Sequence, residues 1–405
     1  MLKNQKRLLH AILIAIFLLV SFYFLRELLW PKVKVGEHLV PINPNAELKE
    51  GQIYRLRFWD YDLPLQLADK SYHDYITGLI EKFTKANPQI KVEVSFLNLA
   101  DGSARLKEAL RKGEQPDLYC SAFERPEFDY RYQVPIGPYL TELEQQSYLL
   151  AARELASVSG IQCMLPRWIG VGLWLGNSKL LAQLGLSVNK IQAQGWNWEE
   201  LQQASQKLTK QQFLLGGNLG QPGILKELTA SVAGTVGCAT NEKPSDLARA
   251  FLEELLKEKK SLALEDPNLL GNFFEGKVAL VGGMRPIFYR LIKERLTERK
   301  ADWQLVWLPV PSRYAERNAM IAETSMIAVY RTRPILDEQV TAAMKLAKYL
   351  GAAPEIKVWQ KLMVIPAHQR PLTAWLKDQQ RLGNDCAWML KWLQGTPIWH
   401  ESCFD

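Results

Sequence analysis

Between Ile53 and Tyr119 the spacing of apolar positions changes period four times. Ile53–Trp59 reads as a strand, and Tyr75–Lys85 as a helix with Ile76, Leu79, Ile80 and Phe83 on one face. Asn87-Pro88 ends that helix, and strict alternation follows from Ile90 to Phe96. A second helical run, Arg105–Lys112, leads through Gly113 and Pro116 into Asp117-Leu118-Tyr119. A period of 3.6 alternating with a period of 2 predicts a β-α-β-α-β unit. Further on, helices are predicted at Leu140–Leu155, Ser178–Leu184, Ser245–Lys260, Pro267–Phe274, Ile287–Arg299, Asp337–Leu350 and Leu372–Leu393. Another opens at Trp198 behind Asn197, a residue suited to an N-cap. Strand-like runs lie at Ile161–Leu175, Lys277–Gly283, Trp303–Leu308 and Ser325–Tyr330. Strands alternating with helices over this length predict an α/β protein with two lobes.

The N-terminus has a different pattern. Lys3, Lys6 and Arg7 precede Leu8–Leu25, which carries no Asp, Glu, Lys or Arg. An apolar run of about 18 residues can span the hydrocarbon core as a helix, and the preceding basic residues place the N-terminus inside. The expectation is a cytoplasmic N-terminus at 1–7 and an uncleaved signal anchor at 8–30. A cleaved signal peptide is the rival reading; no small-x-small site follows the apolar run. Residues 31–51, with Pro31, Pro41 and Pro44, are expected to form a stalk.

Composition fits a folded chain, with 47% hydrophobic and 10% aromatic residues over 405 positions. The net charge of +7 is not gathered into a basic block interleaved with aromatics, which argues against nucleic-acid binding. Cys120, Cys163, Cys238, Cys386 and Cys403 form no C-x-x-C pair, so no zinc or redox motif is indicated; Cys386 and Cys403 are close enough in sequence to pair. The five histidines are scattered, and Gly216-Gly217 lacks the Lys-Ser/Thr of a phosphate loop. No cofactor, metal or catalytic residue is expected.

Five motifs resemble, in order, those of the family 1 extracellular solute-binding proteins of ABC importers, the group that includes maltose-binding protein. They are the Leu56–Asp60 strand, Leu79-Ile-Glu-Lys-Phe83 with Asn87-Pro88-Gln-Ile-Lys-Val92, the Gly113–Asp117 turn, a run from Trp174–Leu180 and Leu184-Gly-Leu186 through Trp198-Glu-Glu-Leu201 to Lys207-Leu-Thr209, and Phe273-Phe-Glu-Gly-Lys-Val-Ala279. The resemblance covers nearly all of 52–370. It implies a two-lobed periplasmic-binding-protein-like fold with a three-strand hinge crossing near Met164–Val171, Leu280–Arg285 and Met326–Arg331. Lobe one is then expected at 52–165 and 285–327, and lobe two at 166–284 and 328–405. The implied function is capture of a small solute, a carbohydrate or sugar derivative, by lobe closure outside the membrane, with delivery to ABC permease subunits.

Open α/β sheets bind ligands at the C-terminal ends of their strands. That rule nominates Trp59, Asp60, Tyr61 and Asp62 after the first strand, and Tyr119 and Ser121 (with Glu124) after the third. By position in the family, Arg167 and Trp168 at the first crossing and Arg285 and Phe288 at the second join the set. Aromatic rings stack on sugar faces and carboxylates accept from hydroxyls, whereas two arginines in the cleft would select an anionic sugar such as a uronate or a phosphorylated polyol. Two other readings remain: a ligand-sensing module for a receptor or histidine kinase, and an extracellular carbohydrate-active enzyme using Asp60 and Asp62.

Overall fold

The structure is a computed structural model that describes residues 31–63, 66–67, 70–123, 125–217, 223–236, 243–257, 262–264, 267–283, 286–313, 322–332, 336–353, 364–381 and 387–395. A hairpin (β1, Lys32–Val35; β2, His38–Pro41) precedes the predicted block of β3 (Tyr54–Tyr61), α1 (Tyr72–Ala86), β4 (Ile90–Leu97), α2 (Gly102–Lys112) and β5 (Leu118–Cys120). The chain continues through β6 (Leu165–Val171), β7 (Leu173–Asn177), β8 (Phe213–Gly217), α3 (Ile224–Val236), β9 (Leu262–Leu264), β10 (Val278–Gly282), α4 (Pro286–Glu298) and β11 (Leu305–Pro309). Then follow β12 (Ala322–Tyr330), α5 (Asp337–Gly351) and β13 (Ile365–Pro366).

Helix α1 starts at Tyr72, earlier than its apolar face requires, because Ser71 and Asp74 form a reciprocal capping box: the Asp74 amide donates to Ser71 Oγ at 3.1 Å and the Ser71 amide to Asp74 Oδ2 at 3.0 Å. Its four predicted apolar residues, Ile76, Leu79, Ile80 and Phe83, are all buried. Removing each from water contributes about 1.5–3 kcal/mol.

Two sheets organise the body. The first runs β13-β6-β12-β5-β3-β4, with the short Gln133–Val134 strand also pairing β12. Strands β3, β4 and β5 are mutually parallel, and β12 lies antiparallel between β5 and β6. The second runs β9-β8-β10-β7-β11, parallel from β9 to β10 and antiparallel beyond. Among the described residues the chain passes from the first sheet to the second at Gly172, between β6 and β7, and returns between β11 and β12.

This pairing departs from the expected boundaries. Leu280–Arg285 is not a crossing: after β10 the chain turns into α4 and comes back as β11, which pairs β7 in the same sheet. Residues 286–309 therefore belong with the second lobe. Helix α5 packs against β3, β6 and β12, burying Val340, Ala343, Met344, Ala347 and Leu350, and β13 joins the first sheet, so 337–353 and 364–366 belong with the first.

The expected stalk is also folded. Val35 and Val40 of the hairpin are buried against Phe128 and Cys163, with Val158 and Ile161 packed beside them. Asn43 Nδ2 donates to Asp337 Oδ2 at 2.7 Å, the Asn43 amide donates to Tyr139 Oη at 3.0 Å, and Arg331 donates to the Pro41 carbonyl. Lys and Val alternate strictly in β1, and the segment's tertiary partners lie far along the chain.

No helix among the described residues is long and apolar enough to cross a membrane, and the expected anchor at 8–30 lies outside them. Cys120 and Cys163 are free and buried; the expected Cys386–Cys403 pair lies outside the described residues.

Candidate functional site

In the first sheet, Trp59 pairs with Tyr119, which sets Asp60 beside Cys120 at the C-terminal ends of β3 and β5. Strand β12 brings Ser325 alongside. A register shift in β6 between Pro166 and Trp168 accompanies Arg167, which meets this group. Tyr72, the first residue of α1, covers it. The Arg167 Nη1 group donates to Asp60 Oδ2 at 3.4 Å, to Tyr72 Oη at 3.2 Å and to Cys120 Sγ at 3.0 Å. The Tyr72 hydroxyl donates to Asp60 Oδ2 at 3.1 Å, and the Tyr61 amide donates to Asp60 Oδ1 at 2.8 Å. Cys120 Sγ lies 3.3 Å from Ser325 Oγ, which donates to the Ser121 carbonyl at 2.5 Å; Ser121 Oγ accepts from the Met326 amide at 2.9 Å.

Asp60 and Arg167 are each only 2% exposed. Burial pulls the Asp60 carboxyl above its ordinary range, and the Arg167 charge opposes that shift. For Arg167, burial works against the charge, but the surrounding sulfur, phenol and carboxylate outweigh it and raise its pKa. Burial pushes the Cys120 thiol up to about 11 and raises the Tyr72 phenol as well, so both are neutral at pH 7. The result is one ion pair inside a shell of neutral donors and acceptors, joining both crossing strands, β6 and β12, to the ends of β3 and β5.

Of the ten nominated residues, Asp60, Tyr61, Tyr119, Ser121, Arg167 and Trp168 are buried. Tyr61 and Tyr119 share a hydroxyl–hydroxyl bond of 2.8 Å, and Trp168 packs edge-on against Phe123 at 5.4 Å between ring centres. Trp59 is half-buried, with the Arg105 guanidinium 5.8 Å from its ring centre, and Asp62 is exposed. Phe288 falls in the first turn of α4, while Arg285 and Glu124 lie outside the described residues. Because Asp60 meets the Arg167 charge internally, Arg167 gives no support to an anionic ligand.

The second sheet has its own polar centre at the C-terminal ends of β8 and β10. Glu227, in the first turn of α3 and 5% exposed, accepts from Trp174 Nε1 at 2.7 Å and from the Gly283 amide at 2.8 Å through Oε2. The backbone here is close-packed: a Cβ on Gly282 would stand 2.6 Å from Trp174 Nε1, and one on Gly217, at φ +157°, would stand 2.6 Å from the Gly282 carbonyl. Tyr72, Cys120, Ser325, Trp174 and Glu227 were not nominated from sequence. A carboxylate in the first turn of a largely apolar helix just after a glycine-ended strand was the available signal for Glu227. Among the described residues no three His, Cys, Asp or Glu side chains are grouped to hold a metal.

Two sheets joined at strand crossings are shared with known proteins. The family model for bacterial extracellular solute-binding proteins matches residues 69–355. The chain belongs to that family. Solved structures share the fold at low identity. The sugar-binding protein MalE of Xanthomonas citri superposes with a TM-score of 0.63 at 17% identity, covering 85% of this chain and 86% of that one. An ABC substrate-binding protein of Listeria monocytogenes, solved in complex with cycloalternan, gives 0.60 at 16% identity over 86% and 88%. The cyclic alpha-maltosyl-1,6-maltose binding protein of Arthrobacter globiformis gives 0.61 at 12% identity over 86% and 88%. The body of this solute-binding protein is accordingly extracytoplasmic in type.

Proposed function

We propose that this solute-binding protein takes an oligosaccharide or related sugar between the C-terminal ends of its two sheets and hands it to an ABC permease. The apolar segment at 8–30 holds the body on the outer face of the cell membrane. The observation that carries the reading is the pairing of two sheets linked by crossings, in a chain of this family whose structural relatives include several sugar binders. A ligand bridging both lobes contacts both only when they close, so binding shifts the open–closed population by its differential affinity.

Within that cleft, Trp59 is assigned as the stacking surface and Asp62 as a hydroxyl acceptor. Arg285 and Phe288 contribute from the second lobe. The Asp60–Arg167 network, Tyr61, Tyr119, Ser121 and Trp168 fix the floor on which Trp59 and Asp62 stand. The test is a thermal-shift screen of residues 31–405 against linear and cyclic malto-oligosaccharides, monosaccharides, sugar acids, amino acids and oligopeptides. A ligand that binds only the folded state raises the midpoint by mass action. A saccharide hit that weakens roughly tenfold, about 1.4 kcal/mol, in Trp59→Ala supports the reading. A hit confined to amino acids or peptides overturns it.

A further inference from the structure

The hairpin at the start of the body has two unlike faces. Cross-strand register pairs Val33 with Val40 on the inner side, and Lys34 with Leu39 and Lys32 with Pro41 on the outer side. The inner valines pack on Phe128 and Cys163. On the outer face Lys32 and Lys34 are exposed, and Leu39, 66% exposed, stands beside them. Glu37 and His38 stand at the turn, where His38 stacks on Tyr130 at 3.9 Å between ring centres.

The hairpin has little freedom to swing. Besides the contacts of Asn43 and Pro41 already described, the Ile42 amide donates to the Pro31 carbonyl at 2.8 Å, Thr341 Oγ1 donates to the Ala46 carbonyl at 2.9 Å, and Lys49 pairs with Glu338 at 2.6 Å. The anchor proposed for 8–30 is bounded at Trp30. Lys32 follows two residues later, and two residues of extended chain reach at most about 7 Å.

We infer that the outer face of the β1–β2 hairpin is a membrane-contact surface that meets anionic lipid headgroups. This rests on the anchoring given under Proposed function. A segment ending at the interface delivers the hairpin directly to the headgroup layer, where the two lysines meet negative surface potential and Leu39 enters the boundary of the acyl region. The first lobe is thereby held next to the bilayer in one orientation instead of being tethered on slack chain.

The test uses the full chain in nanodiscs containing phosphatidylglycerol, with a benzophenone amino acid replacing Leu39, Phe17 or the exposed Lys210 in separate proteins. After irradiation, lipid adducts are counted by mass spectrometry. The inference expects adducts at 39 in several-fold excess over 210, falling in the Lys32→Glu, Lys34→Glu background while adducts at 17 are unchanged. Adducts at 17 with none at 39 would leave the anchor in place and overturn the membrane-contact face. An absence at 17 and 39 alike would mean that the anchoring reading itself fails, and the inference with it.

Discussion

The two lobes solve the same problem differently at the ends of their strands. In the first, a full ion pair, Arg167 with Asp60, is walled off with a phenol, a thiol and a serine hydroxyl around it. In the second, a single carboxylate, Glu227, is held by an indole N–H and a backbone amide. The first arrangement ties four strands and a helix start together and leaves its charges little to offer a ligand. The second leaves the chain thin around it, with Gly217 and Gly282 against their neighbours, and holds the Gly283 amide. The role of an arginine on a hinge strand thus depends on the partners that meet its charge. Here it is a fastening of the first lobe.

That contrast can be broken by substitution. Arg167→Met leaves the Asp60 carboxyl buried without its counter-charge and is expected to destabilise by about 3–5 kcal/mol, read as a lower urea midpoint. A loss below about 1 kcal/mol would mean that the pair is not the fastening described. Starting the body at residue 45 removes the hairpin and the burial of Val35 and Val40, and is expected to destabilise by about 3 kcal/mol relative to 31–405. An unchanged melting temperature would restore the stalk.

Alkaline titration separates the first centre from its surroundings. The Cys120 thiol is raised by burial from its ordinary value of 9.0 to about 11. A raised folded-state pKa means the native state holds the proton longer than the unfolded chain. Its contribution is therefore complete below pH 9 and lost as pH rises toward 11, by about 2–3 kcal/mol. Cys163, pushed up by burial to about 12, adds a loss of the same sign. The Cys120→Ser variant is expected to show a shallower decline between pH 9 and 11 in denaturation midpoints; an identical decline would place the titrating group elsewhere. The smallest effect is expected in the second lobe. Glu227→Gln keeps one acceptor oxygen for Trp174 and Gly283 and should lower stability by about 1–2 kcal/mol, the difference between charged and neutral acceptors. A loss as large as that of Arg167→Met would erase the contrast between the lobes.

Much of the fold was legible where period and caps agreed. The β3-α1-β4-α2-β5 block fell within a few residues of its expected bounds, and Asn197 caps its helix with a reciprocal bond to Glu200. What failed was decided by distant partners. The helix expected at Leu140–Leu155 is two short helices, because Tyr148 bridges to His368 and the Leu149 amide donates to the Ala367 carbonyl at 2.8 Å. The run Ile161–Leu175 reads as one apolar passage but is shared among three sheets: Ile161–Gln162 pairs with Ser157–Val158, and the rest divides at Gly172 between the two main sheets. Lobe membership of 286–309, 337–353 and 364–366 depends on which strands pair, which local pattern does not encode. The candidate site was legible as a location, the ends of β3 and β5, but its division into exposed and buried members was not. Arg167 and Asp60 lie 107 positions apart, and nothing local to either marks the other.

Recognition of a saccharide by closure of two lobes is open to small-angle X-ray scattering. Residues 31–405 would be measured alone and saturated with the tightest saccharide from the screen, alongside the same pair for Trp59→Ala. The wild-type body is expected to reach a smaller radius of gyration on saturation, with more ligand needed to reach it in the variant. Full occupancy by calorimetry with an unchanged radius of gyration would contradict recognition by closure.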